Sequence, residues 1–341
     1  MNDEMNRTAE ALVAAGKGIL AADESDPTIK KRFDTVAVES TEENRRTYRE
    51  MLFTTPGLEN FISGVILFDE TIRQRSADGV PLAEVLAARG IIPGIKVDKG
   101  AKPLALADGE KVTEGLDGLR SRLAEYRRLG AGFAKWRAVY SIGAGRPSRD
   151  CVRVNAHALG RYAALCQEAG LVPIVEPEVL MDGTHSIGDA AAATARVLAA
   201  VYDELFAQRV DLRGTLLKPN MVLSGYSASE QAGAAEAAEA TLDVMYRHVP
   251  AAVPGIVFLS GGQSDEDATV HLNAMNALGP HPWQLSFSFG RALQGPALHT
   301  WSGAEQNRTA AQQALHHRAA LNSAARSGSY SPAMERASAA L

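Results

Sequence analysis

Two cysteines, Cys151 and Cys166, are all that the 341 residues hold, so no disulfide framework organises this chain. Both fall in a segment, 149–168, that reads as one helix, where their separation spans roughly 22 Å, far beyond disulfide reach. They read as reduced thiols. Excess positive charge is also missing. Lys plus Arg number 35 against 40 Asp plus Glu, a net charge of −5, which is the wrong sign for a general nucleic-acid binder. No run of about 18 apolar residues could span a bilayer. Residues 1–18 carry mixed charge and no apolar core before a small-residue cleavage site, so they do not read as a secretory signal. The expected location is the cytoplasm. The eight histidines form no HExxH and no His-x-His. The one close pair, His316-His317, diverges by about 100° on a helix, poor geometry for a shared metal. No metal and no other cofactor is expected.

What is present suits a large soluble core: 46% apolar and 22% charged residues. Eight short segments read as strands, 18–22, 63–68, 94–98, 133–139, 172–178, 215–222, 255–260 and 284–289. They are continuous apolar runs and not alternations, the pattern of parallel strands covered on both faces. Helical patterns lie between them, including 115–129, 187–205 and 229–246; the last two are rich in alanine, a strong helix former. Strand and helix alternate eight times with no low-complexity linker. The expected fold is a single-domain (β/α)8 TIM barrel over 1–341, with a doubly wound sheet as the alternative. From about residue 326 the chain is rich in Ser, Ala and Gly and reads as a flexible C-terminal tail over 326–341.

Polar residues gather at the C-terminal strand ends, the face on which barrel enzymes keep their chemistry. Asp23 follows the first strand. Lys96 and Asp98, Lys135 and Arg137, Glu176 and Glu178 are i, i+2 pairs, so each pair points to one side of its strand. Lys218 ends an apolar run, Ser260 ends the seventh strand, and Arg291 follows the eighth. A lone strand-end lysine usually reaches solvent. A buried one favours its neutral amine, the form that attacks a carbonyl. Cleaving a carbon–carbon bond beside a carbonyl needs an electron sink, and a protonated lysine imine supplies one without a metal. A cation such as Lys135 would lower the Lys218 pKa. Glu176 could move protons if its environment raises its own pKa, and Asp23 could accept a hydroxyl proton. The glycine-rich 260–264 (SGGQS) and the remaining cations suit a phosphorylated substrate.

The stretches 16–25 (GKGILAADES), 41–46 (TEENRR), 94–100 (GIKVDKG), 133–137 (FAKWR), 172–178 (VPIVEPE), 216–221 (LLKPNM), 259–264 (LSGGQS) and 290–293 (GRAL) resemble, in order, class I fructose-bisphosphate aldolases, the Schiff-base type. The resemblance implies reversible cleavage of fructose 1,6-bisphosphate to dihydroxyacetone phosphate and glyceraldehyde 3-phosphate on a (β/α)8 barrel. It implies Lys218 as the Schiff-base lysine, Glu176 as the main acid/base, and Asp23, Lys135 and Glu178 as their partners. Ser260, Gly261, Gly290 and Arg291 resemble the site for the phosphate next to the ketone. Lys96 and Arg137, with the hydroxyls of Ser25 and Thr28, resemble the far-end phosphate contacts. A homo-oligomer, commonly a tetramer, is implied as well. Other classes remain open at this point: another Schiff-base aldolase or transaldolase, a metal-dependent aldolase, or a sugar-phosphate-binding protein without catalysis. Two departures stand out. Asp26-Pro27-Thr28 replaces a usual Thr-Gly-Ser and brings negative charge near the far phosphate. The terminal tyrosine of animal relatives is missing, the last tyrosine here being Tyr330.

Overall fold

A computed structural model describes residues 2–336. Eight strands close a barrel in chain order: β1 (Gly18–Ala22), β2 (Ile62–Leu67), β3 (Ile92–Lys96), β4 (Phe133–Tyr140), β5 (Val172–Val179), β6 (Leu216–Leu217), β7 (Gly255–Phe258) and β8 (Gln284–Phe289). Every neighbouring pair is parallel, and β8 returns to β1 through Leu20 opposite Phe289. This is the (β/α)8 barrel expected from the sequence. The strands are buried on both faces because helices cover the outside and side chains fill the inside.

The inside is plugged from below. Helix α1 (Asn2–Leu12) sends Met5, Ala9 and Leu12 against Ile19, Ile66, Phe133, Ile174 and Val257. Phe133 fits only because β3 has no side chain opposite it: a Cβ at Gly94 would lie 2.2 Å from the Phe133 ring. The plug leaves the opposite, C-terminal mouth open, and the polar strand-end residues converge there.

Two elements differ from expectation. Strand β6 is two residues long instead of eight. Lys218 N–H still reaches Val175 O at 2.8 Å, but Pro219 has no N–H to continue the ladder. A hairpin, Ala101–Pro103 against Lys111–Thr113, follows β3; three-residue strands on an exposed loop carry no periodic signal.

The described part of the tail carries contacts that composition did not suggest. Composition marked 326–341 as flexible, yet Arg326, Tyr330 and Glu335 are held by contacts within the fold. Arg326 ends the last long helix, Arg308–Arg326, and is buried on the carbonyls of Val13, Ala14 and Lys17. Arg318, 4% exposed, meets Glu335 at 2.6 Å, and Tyr330 donates its hydroxyl to Glu335 at 2.8 Å. Residues 337–341 lie outside the described residues. Three side chains, Arg326, Tyr330 and Glu335, thus outweigh a Ser/Ala/Gly composition. Glu335→Gln should lower stability by about 1–3 kcal/mol, since a hydrogen bond between charged groups is lost at a buried arginine. Urea denaturation reads this directly; an unchanged midpoint would mean that the clasp contributes nothing.

Candidate active site

The thirteen residues given a role from the sequence line one cavity of about 630 Å³ at the barrel mouth: Asp23, Ser25, Thr28, Lys96, Lys135, Arg137, Glu176, Glu178, Lys218, Ser260, Gly261, Gly290 and Arg291; Asp98, the other strand-end carboxylate, does not line it and accepts from the N–H groups of Gly100 and Arg137 instead. The i, i+2 spacing explains most of this. In β4 and β5, residues 135 and 137, and 176 and 178, face the same side at successive levels, and Arg137 lies opposite Glu176 in register.

The deepest group is an ionic chain of four side chains. Lys135 Nζ lies 2.7 Å from Asp23 and 3.3 Å from Glu176 Oε2. Lys218 Nζ lies 3.2 Å from Glu176 Oε1. Lys135, Glu176 and Lys218 are each 3–4% exposed. Burying charge this deeply is costly unless the groups are paired, so the pairing sets the protonation states. Burial works against the charged form of Lys135, but Asp23, then Glu176 and Asp98, outweigh it and hold the ammonium well above the ordinary lysine range. Burial also opposes the Asp23 carboxylate, and Lys135, Lys218 and Lys96 hold it far below the ordinary range. Glu176 follows the same balance: burial raises it, while Lys135, Lys218 and Arg137 bring it down overall. The sequence reading made a raised Glu176 the condition for proton transfer. The structure does the reverse, because two lysines lie within 3.3 Å of the Glu176 oxygens. Lys135 approaches Oε2 without hydrogen-bond alignment, so among the described residues that oxygen is an unpartnered acceptor at the cavity.

Around this chain sit the groups that resemble phosphate ligands. Arg137 is paired to Glu178, and Lys96 lies 3.7 Å from Asp98. Ser25 and Thr28 share a hydrogen bond at 3.2 Å. Gly290 caps the N-terminus of the helix Arg291–Trp301, whose free N–H groups and dipole favour an anion. Ser260, Gly261 and Gly262 form the opposite wall. Asp26 opens helix α2 (Asp26–Asp34), is exposed, and is not among the residues lining the cavity.

Sequence reasoning missed Lys31, Arg32 and Gln294, which also line the cavity. Thr28, Lys31, Arg32 and Thr35 lie at helical spacing, so one face of α2 lines the mouth while Ile29 and Phe33 pack inward. That signal was present in the sequence. Gln294 was not foreseeable: it earns its place by a 273-residue separation, donating to Ala21 O at 2.6 Å and to Glu24 at 2.8 Å. Glu24 in turn pairs with Arg32. Among the described residues no three His, Cys, Asp or Glu side chains converge as metal ligands, and no helix is long and apolar enough to cross a membrane.

The family model for class-I fructose-bisphosphate aldolase matches residues 4–340. A probable fructose-bisphosphate aldolase class 1 of Xanthomonas campestris pv. campestris is 58% identical, over 96% of this chain and 98% of its own length. Fructose-bisphosphate aldolase 1 of Toxoplasma gondii is 54% identical over 96% of this chain and 91% of its own. A co-crystal structure of the aldolase from Plasmodium falciparum superposes with a TM-score of 0.96 at 52% identity, covering 96% of this chain and 95% of that one.

Proposed function

Because the chain belongs to the class-I fructose-bisphosphate aldolase family, we propose that its reversible cleavage of fructose 1,6-bisphosphate runs through an imine on Lys218, with Glu176 moving the protons. The observation that carries this reading is the buried 3.2 Å contact between Lys218 Nζ and Glu176. Glu176 takes a proton from the amine, which attacks the substrate C2 carbonyl to form a carbinolamine. Protonated Glu176 returns that proton to the C2 hydroxyl, water leaves, and a protonated imine remains. With the C4 hydroxyl proton passed to Asp23 or Glu176, the C3–C4 bond breaks and its electron pair flows into the imine as an enamine. Glyceraldehyde 3-phosphate departs. The enamine then takes a proton at C3, and water adds to the imine and releases dihydroxyacetone phosphate. Lys135 stays charged throughout and stabilises the oxyanions that form beside it. Glu178 holds Arg137 in place at the cavity wall.

Two phosphate subsites frame this centre. Ser260, Gly261, Gly290 and Arg291 take the ketone-side phosphate, and Lys96, Arg137, Ser25 and Thr28 the other. Arg291→Ala removes a charge-assisted hydrogen bond worth about 1.5–3 kcal/mol, so affinity for the bisphosphate and for dihydroxyacetone phosphate should both fall about 10–100-fold. An effect confined to the bisphosphate would reverse the two ends. The family is metal-independent, and EDTA should leave the rate of this enzyme unchanged. A homotetramer in the cytoplasm is the proposed working form; light scattering would test the assembly. Borohydride with dihydroxyacetone phosphate, followed by peptide mapping, tests the central claim. Label on Lys218 is expected; label on Lys135 or Lys96, or none, would overturn it.

A further inference from the structure

Tyr226 has no place in the mechanism above, yet it leans over the loop assigned to the ketone-side phosphate. Its ring is half-exposed, and its hydroxyl donates to Gly261 O at 3.1 Å. The sulfur of Met181 lies 3.3 Å from the same hydroxyl, a weaker acceptor than a carbonyl. Gly261 and Gly262 have φ of 58° and 106°, a region that glycine reaches without strain. In a trans peptide the carbonyl and the next N–H point in opposite directions. Holding Gly261 C=O on the phenol therefore turns Gly262 N–H away from it. Among the described residues neither Gly261 N–H nor Gly262 N–H has a hydrogen-bond partner within the protein, and both residues line the cavity. Two unpaired amides in a glycine turn are the donors that an anion takes.

The loop is pressed from both sides. A Cβ on Gly261 would meet Met181 Cε at 2.0 Å; one on Gly262 would lie 3.1 Å from Arg291 Nη2 and 3.4 Å from the Tyr226 hydroxyl. Tyr226 and Arg291 thus flank one peptide. Tyr226 is itself anchored. Its N–H donates to Met181 O, and its neighbours Gly225 and Ser227 donate to His185 O and Gly183 O, all at 2.9 Å. The loops after β5 and β6 form a small brace, and Tyr226 carries that brace to the loop after β7. Burial pushes the phenol up to about 12, so it remains a donor at working pH.

We propose that Tyr226 is a positioning residue for the known reaction: it fixes the Gly261–Gly262 peptide so that the N–H groups of Gly261 and Gly262 meet the phosphate beside the ketone. This rests on the assignment of that loop and Arg291 to the ketone-side phosphate. Tyr226→Phe deletes one hydroxyl and keeps the ring. KM for the bisphosphate and for fructose 1-phosphate should rise about 3–10-fold, and dihydroxyacetone phosphate should bind more weakly by the same factor. The kcat, the pH profile and KM for glyceraldehyde 3-phosphate in the aldol direction should stay put. Arg291→Ala runs beside it as a control on the underlying reading. Arg291→Ala without effect on dihydroxyacetone phosphate would sink the subsite assignment itself. If Arg291→Ala weakens that ligand and Tyr226→Phe does not, the subsite stands and Tyr226 has no such role. A kcat loss of tenfold or more at unchanged dihydroxyacetone phosphate affinity would make the phenol a proton donor and overturn the positioning role. Tyr226→His, which keeps a ring donor at that position, should recover part of the affinity; no recovery would count against the hydrogen bond.

Discussion

Lys218→Arg should cost turnover on the order of 10⁴-fold or more, the scale on which removal of a covalent nucleophile reads, while circular dichroism and the urea midpoint stay close to those of the parent. Arginine keeps the positive charge beside Glu176, but a guanidinium does not give up its proton and forms no imine. The site holds a second buried lysine that could in principle stand in. Lys135 lies 2.7 Å from Asp23 and 3.3 Å from Glu176, and those carboxylates hold its ammonium well above the ordinary lysine range against the effect of burial. It is therefore charged at working pH and a poor nucleophile. Lys218 has one carboxylate partner at 3.2 Å and an apolar run, Leu216-Leu217, before it. In the proposed mechanism the number of carboxylates that each amine meets divides the labour between them. Single-turnover assays with borohydride capture measure the outcome. A residual rate above a few per cent of the parent, or continued labelling of Lys135 in the variant, would reverse the assignment of the two lysines.

The contrast between those amines marks where sequence reading stops. That Lys218, Lys135, Glu176 and Asp23 share one mouth was legible, because period-two spacing in parallel strands and the single open face of a barrel place strand-end residues together. Strand β1, Gly18–Ala22, could be read to the residue because Lys17 and Asp23 flank its apolar run, and strand β8, Gln284–Phe289, because polar Gln284 opens its run and Gly290 ends it. The direction of the Glu176 shift was not legible. It depends on two distances of 3.2 and 3.3 Å that no spacing rule supplies. Gln294 and Glu335 were missed for a related reason: each acts through a partner far along the chain or around a turn, where no periodic pattern exists. Local pattern finds faces of strands and helices; it does not find which atoms meet across loops.

Glu176→Gln should lower kcat by about 10²–10⁴-fold, the usual contribution of a positioned acid–base group, and should slow imine formation in the same proportion. The amide keeps the volume between Lys135 and Lys218 but can neither accept the amine proton nor return it to the departing hydroxyl. The lowered pKa in the free enzyme does not argue against this role, because the shift has a removable cause. Lys135, Lys218 and Arg137 lower it against burial. Once Lys218 is a neutral carbinolamine, one of those cations is gone and burial counts for more, so the carboxyl moves up toward the range in which it carries a proton. The pH dependence separates the two states. For stability, Asp23 and Glu176 have depressed folded values; their contributions are complete above the unfolded carboxylate range, about pH 4–5, and are lost as pH falls through the lower folded values. Lys135 has a raised value; its contribution is complete below about pH 10 and is lost only above that. Asp23, Glu176 and Lys135 therefore keep their charges in the free enzyme from about pH 5 to 10. Since kcat/KM reports the free enzyme and kcat the bound complex, Glu176 should set no limb of kcat/KM in that window but should set one in kcat, and Glu176→Gln should abolish it. A loss of less than tenfold, or a kcat profile that keeps the same limb in the variant, would move the principal proton transfers to Asp23 or Glu178.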